Sequence, residues 1–235
     1  MFSVSARIRW WCRNQASASS DRILDIGQGH NQRYSTIAPR STLDARGRNG
    51  HNVTSFPEVI MLAYIFVLFA VAVRFLPHPL AFTPVGASLL FFGARGSRRW
   101  IWAPLALLAA SDVILTTLVY RYPFSWDHFV TWAWYAGMLL LGTTLKQNGG
   151  ALRILGAALA GSVSFFVLSN FAVWAAWEMY PRTFAGLMAC YDAGLPYFRR
   201  ALAGDVLFTC VMFATPVLLS VLAQRRQRSG NHIAA

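Results

Sequence analysis

The sequence predicts an all-α integral membrane bundle of about six transmembrane helices, and three observations carry the prediction. The chain has 235 residues, of which 56% are hydrophobic and only 13% charged. A soluble domain carries about 25% charged residues. From Glu58 onward, apolar runs recur, several near the roughly 20 residues a helix needs to cross the hydrocarbon layer. The basic residues of this region gather mostly at the ends of those runs, where topology signals belong.

The first run, Val59–Leu76, reads VIMLAYIFVLFAVAVRFL. The second, Leu80–Ala94, is short and contains FTPVGA, with Pro84 and Gly86. One reading is a broken or re-entrant helix, because non-helical backbone at membrane depth must be buried in protein or line a cavity. The plainer reading is a proline in a first helical turn, where it is tolerated. The third run is Trp100–Tyr120, the fourth about Asp127–Leu145, the fifth Leu152–Trp177 and the sixth Leu202–Ala223. Between the last two lies the longest connection, residues 178–201. Tyr191, Leu195, Tyr197 and Phe198 make it too apolar for a free loop. It is read as an outer capping loop, folded over the bundle as one or two short helices, since long connections often serve as lids or binding loops.

Residues 1–57 are unlike the rest, with eight Arg and three Asp and no persistent period. No apolar h-region marks a signal peptide. Met61 is read as the natural start, making this stretch a translated upstream region; a disordered tail and a targeting segment are the alternatives. The expected organisation is therefore 1–57 outside the fold, 58–224 as the helical domain and 225–235 as a basic cytoplasmic tail.

Orientation follows from the Lys/Arg bias. Arg95, Arg98 and Arg99, then Lys146 and Arg153, then Arg225, Arg226 and Arg228 fall on one side of an even-numbered bundle. Arg121, Arg182, Arg199 and Arg200 fall on the other. The larger group predicts both termini in the cytoplasm and a multi-pass protein of the cytoplasmic (inner) membrane.

The net charge of +12 and pI of 10.6 do not form a basic stripe or a binding motif, so no nucleic-acid partner is expected. There is no Walker A, HExxH, CxxC or GxSxG pattern, which argues against a P-loop nucleotide site, a zinc site or a serine-hydrolase elbow. In the spanning region the histidines are His78 and His128, a poor basis for bis-His haem. No cofactor and no metal is expected.

The polar residues inside the runs are the candidate site. Asp112, with Ser111, sits in a spanning helix, where a carboxylate costs about 2.5–3.5 kcal/mol and is a functional-site hypothesis by default. Its plain reading is an interhelical hydrogen bond, to Thr116 or to a neighbour's Asn. Asn170, Trp174 and Trp177 recur on one helical face. An amide beside indole rings can hydrogen-bond and stack a flat heterocycle, while bundle packing and an interfacial belt explain Trp equally simply. In the fourth run His128, Trp132 and Tyr135 share a face. Asp127 and His128 are expected to be wet, with Ser125 or Asp127 as N-cap, and Trp134 joins the candidate lining. Asp205 begins the sixth run, where the macrodipole favours it. Asp192 and Tyr191 are the candidate contacts from the cap.

Taken in order, FTPVGA, SD, SNFAVW, YPRTFAGLMACYDAGLPYF and GD resemble a family of uncharacterised bacterial multi-pass membrane proteins over roughly Leu62–Leu222. More distantly, the six-helix plan is similar to the substrate-binding S components of energy-coupling-factor vitamin transporters. That resemblance implies a small ligand bound near the outer face, under loops, and a separate ATPase or energising module as partner. S components present an AxxxA pattern on the first helix. Here Ala63, Ala70 and Ala72 lack that spacing, whereas Ala106/Ala110, Gly156/Ala160 and Ala157/Gly161 have it elsewhere.

The expectation is a lipid-embedded, substrate-binding subunit for uptake of a small planar metabolite, held by Asp112, Asn170, Trp174 and Asp205. A structural or assembly protein without ligand is the first alternative. A membrane-embedded enzyme using Asp112 and Asp205 as an acid–base pair is the second.

Overall fold

Six α-helices occur among the described residues, which are 56–76, 81–145 and 150–233 of a computed structural model. They are α1 (Phe56–Phe75), α2 (Val85–Arg95), α3 (Trp102–Ile114), α4 (Asp127–Thr143), α5 (Ala151–Ala176) and α6 (Phe184–Ile233). No strand occurs among these residues. Residues 1–55, with their three sequence readings, lie outside them, as does His78. Four stretches are long and apolar enough to cross a membrane: Glu58–Phe75, Arg98–Val119, Ala151–Ala176 and Phe184–Arg226. By length and composition this is a membrane protein. Leu68, Leu118, Leu140, Val163 and Leu207 stand exposed on their surfaces, as helix faces turned to lipid must.

The short second helix is the centre of the bundle. Val85 to Ala94 are all buried, and α1, α4, α5 and α6 pack around them. Phe91 and Phe92 meet Phe66 and Tyr64 of α1 edge-on, with ring centroids 5.1 and 5.0 Å apart, and Phe91 meets Phe213 of α6 at 5.1 Å. Two glycines let α2 and α4 cross at backbone contact. A Cβ on Gly93 would lie 2.2 Å from the Leu139 carbonyl, and one on Gly142 would lie 2.4 Å from the Leu90 carbonyl.

Before α2 the backbone at 81–84 is not helical, and Thr83 and Pro84 are buried. Ala81 turns the chain with a left-handed φ of 63°, a strained value for a residue with a side chain. Gly86 in the first turn of α2 packs against Asp205, whose carboxylate accepts a hydrogen bond from Ser162 at 2.6 Å. Ser162 is near the middle of α5, so α2 starts halfway along its neighbour. Pro84 takes the N-cap position of α2, so the plain reading of FTPVGA is met, and the helix is also short, as the broken reading expects.

Helix α3 continues past Ile114 as a π-helical turn, Leu115–Val119, closed by the Tyr120 N–H on the Leu115 carbonyl at 2.9 Å. Such turns often accompany functional or strained positions. Arg121, with φ of 53°, ends it.

The stretch read as a cap is helical from Phe184 and runs into the last span without interruption, through Pro196 and Pro216. It lies beside α5 in antiparallel register. Trp174 pairs with Pro181, Val167 with Tyr191, and Ser162 with Asp205. The stretch of α6 long and apolar enough to cross a membrane is Phe184–Arg226, and the sixth run, Leu202–Ala223, lies within it. Residues 184–201 continue the same helix but carry Asp192, Arg199 and Arg200 at exposed positions. Beyond Pro216, Val217, Leu218, Leu219 and Leu222 are exposed, and the helix continues through Arg225 and Arg226 to Ile233.

Candidate functional site

Two polar clusters form inside the bundle, on different helices. The first joins α1, α3 and α4. Arg74, near the end of α1, is 1% exposed and ion-pairs with Asp112 of α3, itself 1% exposed. Its guanidinium also donates to Ser111 Oγ at 2.8 Å, and Ser111 donates to the Leu108 carbonyl at 2.7 Å. Trp132 of α4 donates its indole N–H to the other Asp112 oxygen at 3.2 Å. Pairing and full hydrogen bonding are what a buried carboxylate requires. Thr116 does not serve Asp112: its hydroxyl lies 3.0 Å from His128 Nε2. His128 Nδ1 lies 2.9 Å from the Ser125 carbonyl, which can only accept, so Nδ1 carries the proton.

This cluster corrects the reading of the start of α4. Asp127 and His128 are buried, not wet, and Trp126 occupies the N-cap position without a side-chain cap bond. The reason is Phe124, which stacks on His128 with centroids 4.7 Å apart and covers that end. The shared face of His128, Trp132 and Tyr135 is observed, and it meets α3.

The second cluster joins α2, α5 and α6. Ser162 Oγ donates to Asp205 beside Gly86, where a Cβ would come within 2.7 Å of the carboxylate oxygen. The first turn of α2 has unsatisfied N–H groups, so a carboxylate is electrostatically favoured there. Ser162→Ala should lower the stability of the folded protein by about 1–3 kcal/mol, because it removes a donor from a carboxylate in a poorly solvated place. An unchanged melting temperature would show that this hydrogen bond contributes nothing.

Towards the C-terminal end of α5 the same pair of helices encloses a small cavity. Ala81, Phe165, Phe166, Asn170, Gly194 and Tyr197 line it, with Ser162 at its edge. Asn170 is 2% exposed. Its Nδ2 donates to the Phe166 carbonyl at 2.7 Å, which fixes the amide orientation, and its Oδ1 has no hydrogen-bond partner. Gly194 is what lets α6 approach that oxygen: a Cβ there would lie 2.5 Å from it. The free space is about 20 Å³, room for about one water molecule. A larger groove of about 670 Å³ opens on the other side of α5, against α4, lined by Phe129, Ala133, Trp134, Gly137 and Leu168.

The predicted residues thus divide. Asn170 lines the small cavity, and Asp205 lies next to it through Ser162. Asp112 and Ser111 are engaged by Arg74, on the α1–α3–α4 side, so the structure does not join Asp112 and Asp205 into one carboxylate pair. Trp174 stays outside: its indole donates to the Pro181 carbonyl at 3.0 Å, and Arg182 lies over its ring at 5.5 Å. Those partners belong to the turn between α5 and α6 and hold the ring there. Trp134 faces the open groove, donating to Ser164 Oγ at 3.1 Å and the Gly161 carbonyl at 3.3 Å. Tyr191 donates to the Val167 carbonyl at 2.9 Å and stacks near Phe166 at 5.5 Å. Asp192 is exposed, turned away from the bundle because Cys190, Gly194 and Tyr197 occupy the packed face of α6.

Three residues escaped the sequence reading, Arg74, Ser162 and Gly194, and Tyr197 entered it only as an apolar part of the cap. Arg74 had a legible signal, since a charge within a spanning run pairs with another. The others are ordinary residues in helices and carry none. Among the described residues, no group of three His, Cys, Asp or Glu gathers as a metal set. Residues 54–228 match the model of a family described as a family of unknown function, DUF6580. No curated protein and no solved structure matches the chain.

Proposed function

The chain belongs to the family of unknown function DUF6580, so its activity must be read from its own residues, and we propose that it is a small-molecule-binding membrane subunit for metabolite uptake. The observation that carries this is the unpartnered acceptor of Asn170, buried in a cavity between α5 and the outer part of α6. An orphaned buried acceptor costs about 1–3 kcal/mol, and a ligand that supplies a donor relieves it. The start of α2 halfway along α5 supports the same reading, because discontinuous helices build sites at that depth in transporters. The ligand enters by displacing the outer part of α6, where Pro196 removes one backbone hydrogen bond.

In this reading the protein lies in a bacterial cytoplasmic membrane with both termini inside, and a separate ATPase module supplies energy. Ala106 and Ala110 on α3, and Gly156 and Ala160 on α5, are exposed small-residue pairs of the kind that admit a neighbouring helix. Ala63 and Ala70 of α1 are buried and face the bundle instead.

Native mass spectrometry of the gently purified full chain tests the proposal. A small molecule retained by the wild type and by Ser111→Ala, and lost at least tenfold in Asn170→Ala, is the expected result. A bare protein in every sample counts against it and favours a second reading, of a structural protein whose polar residues only join helices. One observation favours that second reading: the free space of about 20 Å³ already suits packing alone.

A further inference from the structure

The chemistry around Asn170 restricts what the cavity can take. This inference rests on the proposed binding role and names the ligand class. Nδ2 of Asn170 is committed to the Phe166 carbonyl, leaving Oδ1 as the vacant group. An amide oxygen only accepts, so the ligand must present an N–H or O–H. Among the described residues, no charged side chain lines the cavity. The one carboxylate nearby, Asp205, lies behind Ser162 and is already held by its hydroxyl, so a net charge in the cavity would lack a direct partner and be disfavoured. The walls are aromatic: Phe166 and Phe198 lie 4.7 Å apart by centroid with a tilt of 36°, and Phe165 and Tyr197 complete the lining. Flat faces of this kind suit a flat partner.

We infer that the site between Asn170, Phe166, Phe198 and Gly194 recognises an uncharged flat ring carrying an N–H donor, which it gives to Asn170 Oδ1. Gly194 is the gate residue, because the backbone of α6 now occupies the place beside that oxygen. Binding exchanges the α6 contact for the ring.

A matched pair of probes tests this. Indole has the flat neutral ring and the N–H; benzofuran has the same shape with an oxygen in that place. Calorimetric titration of the full chain in lipid nanodiscs, with protein-free nanodiscs subtracted, is expected to give roughly tenfold tighter binding of indole. Benzamidinium and benzoate, flat but charged, are expected not to displace it. Asn170→Leu should erase the preference while leaving benzofuran binding in place. Equal binding of indole and benzofuran, or preference for either charged probe, overturns the ligand class but leaves a binding protein. If none of the four probes binds and the purified protein is also bare by native mass spectrometry, the binding role itself falls, and the ligand class with it.

Discussion

Replacing Arg74 with Leu while Asp112 remains should destabilise the fold by about 3–5 kcal/mol, as breaking a buried pair from one side does. The guanidinium is the ion-pair partner of Asp112 and also donates to Ser111 Oγ. Without it, the carboxylate loses its charge partner and keeps neutral donors such as the Trp132 indole N–H. The matching prediction is a rescue. The double variant Arg74→Leu with Asp112→Leu removes both charges, and a buried pair exchanged for apolar groups is often neutral or better. Thermal unfolding in one detergent should therefore rank the wild type and the double variant together and Arg74→Leu well below. If the double variant is as unstable as the single, the pair is not the source of the loss and Arg74 acts through other contacts. The same experiment bears on function, because a purely structural pair can be replaced without cost to any activity.

The α2–α4 crossing should be nearly as sensitive. Gly93→Ala would place a methyl 2.2 Å from the Leu139 carbonyl and 2.9 Å from the Gly142 Cα. Both obstacles are backbone, so no side chain can swing aside and the helices must separate. Overpacking of this kind costs about 1–3 kcal/mol, and the upper end is expected for a helix buried along its whole length. Gly142→Ala meets the Leu90 carbonyl at 2.4 Å and the Gly93 Cα at 2.8 Å. One separation relieves both methyls, so the double variant should lose less than the sum of the singles. Strict additivity would mean that the two glycines act in unrelated places.

The sequence carried the helical architecture because its signals are long and repeated. Apolar runs in Val59–Leu76 and Leu152–Trp177 match α1 and α5 to within a few residues. FTPVGA announced the break before α2, since Pro84 and Gly86 are local signals. Asp112 and Asn170 stood out because each is polar within an apolar run, and both are buried. What failed was the assignment of neighbours. Asp112 was joined to Asp205 by shared depth, but depth does not say which side of a central helix a residue faces. Trp174 was placed inward by helical spacing, but the carbonyl of Pro181 decided its direction. The connection 178–201 reads as a cap because its aromatic residues make it too apolar for a free loop, but from Phe184 it is one helix continuous with the last run, passing through Pro196. Residues such as Ser162 and Gly194 gain their roles only from what lies opposite them.

The length of α6 has a mechanical consequence. Fifty residues make a rod about 75 Å long, more than twice the roughly 30 Å hydrocarbon thickness. One end presses Gly194 against Asn170; the other projects past the start of α5 with Val217, Leu218 and Leu219 bare. A tilt that frees Asn170 must swing the far end the opposite way about whatever point the bundle clamps, and Phe91 against Phe213 marks that clamp. Pro196 and Pro216 are the two places where the rod can yield instead. Stiffening them should lengthen the throw at the projecting end, and softening them should shorten it. Measured from Phe213, Gly194 lies 19 residues away on one side and Ile233 20 residues away on the other, so a rigid tilt would move both places by about the same distance.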